Sequence, residues 1–284
     1  MRIVTFEAGG QSHAGVLSGD YVLDLAAAGY STTIDFVKHS LVGLRKVEKL
    51  IADAPIDSRY PLDAVRLLAP IPQPRKFICV GLNYLDHAKE TGAELPKVPT
   101  IFNKFPTAVI GHRDPVVIPK VTKAPDYEAE LAFVVGLGGR HIAAENWADH
   151  VFGYTIVNDV TARDYQRATS QWLMGKTFDT FAPLGPWIVT ADEIADPHNL
   201  DIELDIDGEI LQRSNTRELI FKIPELIAFL SSVFTLEPGD IVSTGTPAGV
   251  GFARKPQRFL RPGEEMAVRV QRIGELRNAV VAES

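Results

Sequence analysis

The sequence predicts an α+β protein in which strands predominate, with a small N-terminal α+β unit ahead of a larger strand-rich domain. Three observations predict this. Beyond Phe77 most apolar runs are short, β-branched and bounded by Gly, Pro and Asp turns, as strands are. Helical spacing is confined to a few stretches and does not alternate regularly with the strands, which argues against a parallel βαβ sheet. Between the two parts lies Leu68-Ala69-Pro70-Ile71-Pro72-Gln73-Pro74, which can sustain neither a helix nor a central strand, so the chain divides into residues 1–67 and 68–284.

In the first unit Ile3-Val4-Thr5-Phe6 and Gly15-Val16-Leu17 read as strands separated by Gly9-Gly10. Ser18-Gly19-Asp20 turns the chain into a third, Tyr21 to Leu25. Residues 33–54 carry helical spacing through Phe36, Val37, Leu41, Leu44, Val47, Leu50 and Ile51. In the second part Phe77 to Gly81 reads as a strand, with a helical turn beginning near Asn83. Asp126 to Val135 reads as one strand, and Gly153 to Asn158 as a buried one. Asp201 to Ile206 alternates strictly into Asp207-Gly208, a hairpin signal. Pro224 to Phe234 is an amphipathic helix, apolar at Leu226, Ile227, Leu230, Val233 and Phe234. Strands at Ile241–Thr244, Met266–Gln271 and Leu276–Val281 complete the chain.

Composition narrows the function classes. The net charge of −7 and the lack of a Lys/Arg-rich run argue against a nucleic-acid partner. No apolar run has the length of a membrane span, and Glu7 comes too early for a secretory signal, so the expected location is the cytoplasm. The single cysteine, Cys79, lies in an apolar run and reads as a buried structural thiol.

The chemistry gathers around acids. On a strand Glu128 and Glu130 point to one face, where two ionised carboxylates repel unless a cation lies between them; the alternative is a solvated edge strand. Asp159 ends an apolar strand, a place where an acid is buried only when paired or metal-bound. Three carboxylates without cysteine form a hard oxygen site, which favours Mg²⁺, Mn²⁺ or Ca²⁺ over zinc. Arg163 either neutralises one of these acids or forks onto a substrate carboxylate. Lys176, in Met174-Gly175-Lys176-Thr177-Phe178-Asp179, is either solvated or part of a site. His87 and Glu90 share a helix face, either as an exposed pair or as a general base whose imidazole the carboxylate orients. Gly245-Thr246-Pro247-Ala248-Gly249-Val250-Gly251 lets backbone approach a ligand closely, but it lacks the ending of a nucleotide phosphate loop.

Five segments, in order, resemble the fumarylacetoacetate hydrolase family: Gly81 to His87, Tyr127 to Leu131, Asn158 to Asp164, Gly175 to Asp179, and Thr244 to Val250. The resemblance covers residues 70–282 or so. It implies a mixed β-roll catalytic domain, usually a homodimer, with Mg²⁺ or Mn²⁺ held by Glu128, Glu130 and Asp159. It implies a lid carrying His87 and Glu90. Arg163, Gln166, Lys176 and Thr246 then fall where the family holds a pyruvoyl group, with Tyr84 and Gly245 as further substrate-binding candidates. The animal hydrolase that names the family has a fourth acidic ligand near the start of the lid motif. Asn83 stands in that region here, so three protein carboxylates are expected.

The activity expected from this resemblance is hydrolysis of a carbon–carbon bond in an acylpyruvate or 2,4-diketo acid, a 2,4-diketo-3-deoxy sugar acid included. His87 would deprotonate water, and Lys176 with the metal would stabilise the departing pyruvate enolate. Oxaloacetate decarboxylation, and isomerisation or hydration of a 2-hydroxymuconate-type substrate, use the same metal–enolate site. A metal-stabilised binding protein without turnover is the remaining alternative; it requires an exposed His87–Glu90 helix and no basic groups converging on the acids.

Overall fold

Glycine sets the first turn of the chain. Gly9 and Gly10 take φ of +58° and +76°, and this folds strand Arg2–Ala8 back onto Gln11–Ser18, with Ile3 opposite Val16 and Ala8 opposite Gln11. These strands belong to a computed structural model that describes residues 1–53 and 55–284, without the side chains of Leu41 and Val42. The helix expected over residues 33–54 is two helices, Thr33–Lys38 and Ser40–Asp53. The break falls at His39, whose Nδ1 lies 2.9 Å from the Asp35 carbonyl oxygen and whose backbone leaves the helical region. Ala54 and the Leu41 side chain, both counted in that helix, lie outside the described residues.

One large mixed sheet runs in the spatial order Arg59–Pro61, Tyr21–Asp24, Gln11–Ser18, Arg2–Ala8, Ala182–Thr190, Val151–Asn158, Ala129–Val135, Ile241–Ser243, Phe77–Gly81, Thr100–Asn103. The N-terminal strands therefore join the same sheet as the larger part, with Arg2 opposite Val189 and Ile3 opposite Ile188. Ile3, Val16 and Phe36 share a core with Val134, Ile188 and Ile241. A second sheet, ordered Glu209–Asn215, Asp201–Ile206, Glu265–Val270, Gly274–Ala282, Val116–Ile118, packs Leu204, Met266, Val268 and Leu276 into the core of Leu131, Phe133 and Ile156. The expected Asp207-Gly208 hairpin is present, with φ of +51° and +84°, both in the left-handed region that such a two-residue turn requires. Helix Ile223–Val233 buries Leu226, Ile227 and Leu230, but Val233, expected on that apolar face, is 63% exposed.

Two features of the large sheet position the site. Strands Ile241–Ser243 and Phe77–Gly81 pair in parallel, so the segments that follow both, 82–87 and 244–251, emerge at the same end. Ala129–Val135 runs antiparallel to Ile241–Ser243, which brings its beginning to that end as well. The expected continuous strand over Asp126–Val135 is interrupted at Tyr127-Glu128. Pro125–Asp126 instead pairs with Thr161–Ala162, and the long strand begins at Ala129.

Candidate metal and active site

The interruption at Glu128 builds the site. Leaving the ladder frees the Glu128 backbone to interlock with the end of strand Val151–Asn158. Its N–H donates to Asn158 Oδ1 at 3.0 Å, and its carbonyl accepts from the Asp159 N–H at 2.9 Å. Glu130, the second residue of its own strand, stays in register opposite Val157. As a result Glu128, Glu130 and Asp159 each present a carboxylate oxygen within 4.8 Å of the others, and all three are buried. A solvated edge strand is thereby excluded.

Three buried cations answer these acids. Lys176 Nζ donates to Glu128 Oε2 and Asp159 Oδ2, both at 2.7 Å. Arg163 pairs through Nε with Asp126 at 2.8 Å, lies 2.6 Å from Glu128 Oε1 through Nη2, and donates from Nη1 to Gln166 Oε1 at 3.0 Å. The structure therefore gives Arg163 the ion-pair role rather than an open fork, although its guanidinium still lines the cavity. Lys104 is the third, with Nζ 2.7 Å from Asp159 Oδ1 and donating to the carbonyls of Val160, Lys176 and Phe181. The Lys104 contact to Asp159 Oδ1 and the Arg163 contact to Glu128 are ion-pair approaches without hydrogen-bond alignment.

Electrostatics single out Glu130. Burial pushes the Glu128 carboxyl up, but Lys176 and Arg163 more than reverse this and hold it at about 2. Glu130 has no cation at ion-pair distance among the described residues. It accepts from the Ser243 hydroxyl and, at 3.0 Å, from the Gly245 N–H. Burial first, then the charges of Asp159 and Glu128, raise it well above the carboxylate range. Burial lowers Lys104, with Asp159 offsetting part of the effect, whereas Asp159 and Glu128 carry Lys176 above its ordinary value despite burial. Asp126, Glu128, Glu130 and Asp159 thus face Lys104, Arg163 and Lys176, four acids against three bases, so ionising Glu130 leaves one negative charge in excess. A hard divalent ion beside Glu130 would remove that excess, and the oxygen donors suit one. The Tyr84 hydroxyl, buried and without a hydrogen-bond partner, is a further polar atom left open near Glu130.

His87 is buried on helix Leu85–Thr91, and its Nδ1 lies 3.3 Å from Glu90 Oε2. Glu90 accepts from the Gly249 N–H at 2.9 Å, while Asp86 accepts from the Ser214 hydroxyl and, at 3.3 Å, from the Ala248 N–H. The helix is thus laced to the segment that carries Thr246. A cavity of about 250 Å³ joins His87, Glu128, Glu130, Arg163, Gln166, Lys176 and Thr246 with Phe102, Trp172 and Phe252. Buried His87 and converging bases are the opposite of what a non-catalytic scaffold requires.

Two expected substrate residues stand elsewhere. Tyr84 is fully buried and does not line the cavity. Gly245 also lies outside the lining and supports Glu130 through its N–H; its φ of +100° and the 2.9 Å approach that a Cβ would make to the Val80 carbonyl oxygen require glycine. Asn83 spends its amide on the backbone of Phe221 and Thr244, consistent with three protein carboxylates. Gly175 lets the turn before Lys176 touch the Arg163–Gln166 helix, since a Cβ there would lie 2.4 Å from the Gln166 nitrogen. Sequence reasoning missed Lys104, Asp126, Arg167 and Phe252. The signals were a lysine close to two phenylalanines in Phe102-Asn103-Lys104-Phe105 and an acid two positions before Glu128. A larger groove of about 840 Å³ near Trp187 holds Arg66 and Asp114, but these pair with each other at 2.6 Å and build no comparable chemistry.

Among the described residues no helix is long and apolar enough to cross a membrane. A family model described as fumarylacetoacetate (FAA) hydrolase C-terminal matches residues 76–281, and one described as Rv2993c-like, N-terminal matches residues 1–70. The mitochondrial oxaloacetate tautomerase Fahd2a of Rattus norvegicus is 44% identical over 290 residues, covering 99% of this chain and 92% of that protein. The human mitochondrial oxaloacetate tautomerase FAHD2A is 47% identical over 234 residues, covering 82% and 74%. Among solved structures, maleylpyruvate hydrolase from Sphingobium sp. SYK-6 in complex with manganese(II) and pyruvate superposes with a TM-score of 0.85 at 33% identity, covering 100% of both chains. The 5-carboxymethyl-2-hydroxymuconate delta-isomerase from Mycobacterium smegmatis gives 0.80 at 34%, also over 100% of both.

Proposed function

Because the chain belongs to the fumarylacetoacetate hydrolase family, a family of enzymes, we propose that it interconverts the keto and enol forms of oxaloacetate or a closely similar 2-oxo acid. The observation that supports a cation-dependent enolate site is Glu130, a buried carboxylate without a counter-ion among the described residues, lining one small cavity with His87, which Glu90 pairs. The near-full-length likeness to oxaloacetate tautomerases supports the substrate, and the manganese and pyruvate of the Sphingobium hydrolase support a keto-acid site built around a cation.

Mg²⁺ or Mn²⁺ held by Glu128, Glu130 and Asp159 would polarise the 2-oxo group and lower the cost of its enolate. The chain's own residues supply the rest. In the keto-to-enol direction the C3–H bond breaks, its electron pair becomes the C2–C3 double bond, and the C2 oxygen gains a proton. His87 is suited to take and return that proton, because Glu90 holds Nδ1 and leaves Nε2 free. Lys176 has committed two of its three N–H donors to Glu128 and Asp159, so one remains for a negative ligand oxygen. Phe102, Trp172 and Phe252 narrow the cavity and limit water, which would otherwise protonate the enolate indiscriminately.

Hydrolysis of an acylpyruvate is the second reading. It is favoured by the same dyad, which could deprotonate water instead, and by the likeness to maleylpyruvate hydrolase. An assay of enol-oxaloacetate and acetylpyruvate with Mg²⁺ or Mn²⁺ separates them. The proposal predicts faster ketonisation of oxaloacetate, abolished by chelator, with little pyruvate released from acetylpyruvate. Pyruvate release outpacing ketonisation would install the hydrolase in its place.

A further inference from the structure

We propose that Arg167 binds the distal carboxylate of the substrate and so selects 2-oxo dicarboxylates over 2-oxo monocarboxylates. This rests on the keto-acid reading of the same cavity. Arg167 follows the short helix Arg163–Gln166, its N–H donating to the Arg163 carbonyl at 3.1 Å, so the two arginines stand one helical turn apart. Both guanidiniums lie against the Phe252 ring, with centres 4.4 Å (Arg163) and 4.2 Å (Arg167) from its centroid. The platform is fixed, because Asp126 accepts from the N–H groups of Gly251 and Phe252, at 2.7 and 3.0 Å, while also holding Arg163 Nε.

The two arginines differ in what neutralises them. Arg163 is buried between Asp126 and Glu128. Arg167 is exposed, lines the cavity, has no carboxylate partner among the described residues, and lies over the Phe252 ring. Arg163 is already neutralised by its two carboxylates, so the charge of Arg167, held on the ring at the cavity wall, is left open to an anion.

Charge and position agree. With Glu130 ionised, as a bound ion would require, the four acids and three bases of the site carry one excess negative charge, which a divalent ion converts to one excess positive charge, enough for one ligand carboxylate. Arg167 adds a second positive charge at the cavity wall, matched to a dianion. Arg167 lines the same small cavity as Lys176, whose third N–H is open, so a ligand with a carboxylate at each end can meet both. The cavity of about 250 Å³ is likewise sized for a small ligand.

Titration calorimetry of the Mn²⁺-loaded protein with pyruvate and with 2-oxoglutarate, for wild type, Arg167→Met and Arg167→Lys, tests this. The two ligands share the 2-oxo acid end and differ at the far one. Arg167→Met should weaken 2-oxoglutarate by about 10-fold or more while leaving pyruvate within about twofold, and Arg167→Lys should restore part of the loss. Equal effects on both ligands, or none on 2-oxoglutarate, would overturn the role of Arg167 and leave the keto-acid site standing. Failure of pyruvate to bind the wild-type protein would instead bring down the keto-acid reading and this inference with it.

Discussion

Glu130→Gln should abolish divalent-ion binding and turnover together, yet leave a folded protein that is at least as stable as the metal-free wild type. The two halves have one cause. Glu130 is the acid without a basic partner, held by the Ser243 hydroxyl and the Gly245 N–H. Glutamine keeps an acceptor for that N–H but removes the charge the ion needs, so affinity should fall by at least about 100-fold, the loss of a ligand exceeding that of an outer partner. A buried carboxylate with no cation is costly to the metal-free protein, so its neutral isostere relieves that cost. Thermal melts with and without Mn²⁺ check both halves: wild type should gain stability on adding the ion, and Glu130→Gln should gain none. A variant that binds Mn²⁺ normally would remove Glu130 from the ligand set.

His87→Ala should lower turnover by about 100- to 10,000-fold, the usual contribution of a general acid–base group, while sparing ion affinity. His87 pairs with Glu90, not with the triad carboxylates, so its loss leaves Glu128, Glu130 and Asp159 with their own partners. Glu90→Gln should cost less, because it weakens the orientation of the imidazole without removing it. Steady-state rates beside Mn²⁺ titrations separate the two effects. Metal-promoted decarboxylation of oxaloacetate needs no proton relay, so survival of full activity in His87→Ala would point to a decarboxylase.

Glu128, Glu130 and Asp159 were legible in the sequence because acids in apolar, strand-forming surroundings are expensive without a partner, and His87 with Glu90 because i, i+3 spacing places them together. What holds them was not legible. Lys104 follows the edge strand Thr100–Asn103, well before Asp159 in the chain, and reaches it only through the sheet; Asp126 lies two residues before Glu128, but it meets Arg163 only because Pro125–Asp126 pairs with Thr161–Ala162. The pairing of Ala129–Val135 with Val151–Asn158 explains why Glu128 leaves the strand that its flanking residues predict, since its backbone is taken by Asn158 and Asp159. Local patterning also failed at His39, where a side chain competes for a helical carbonyl. Hydrolase, decarboxylase and tautomerase share an enolate and therefore share the residues that stabilise it, so the triad and dyad in sequence do not separate them. The unpaired Arg167 on Phe252 became visible only when the cavity was assembled.

The most direct measurement of the central claim follows deuterium entering C3 of oxaloacetate in D₂O by NMR, with Mg²⁺ present. A tautomerase working through His87 gives exchange well above the rate with Mg²⁺ alone, lost on adding chelator and lost in His87→Ala. Exchange no faster than with free Mg²⁺, or exchange that survives in His87→Ala, would contradict it.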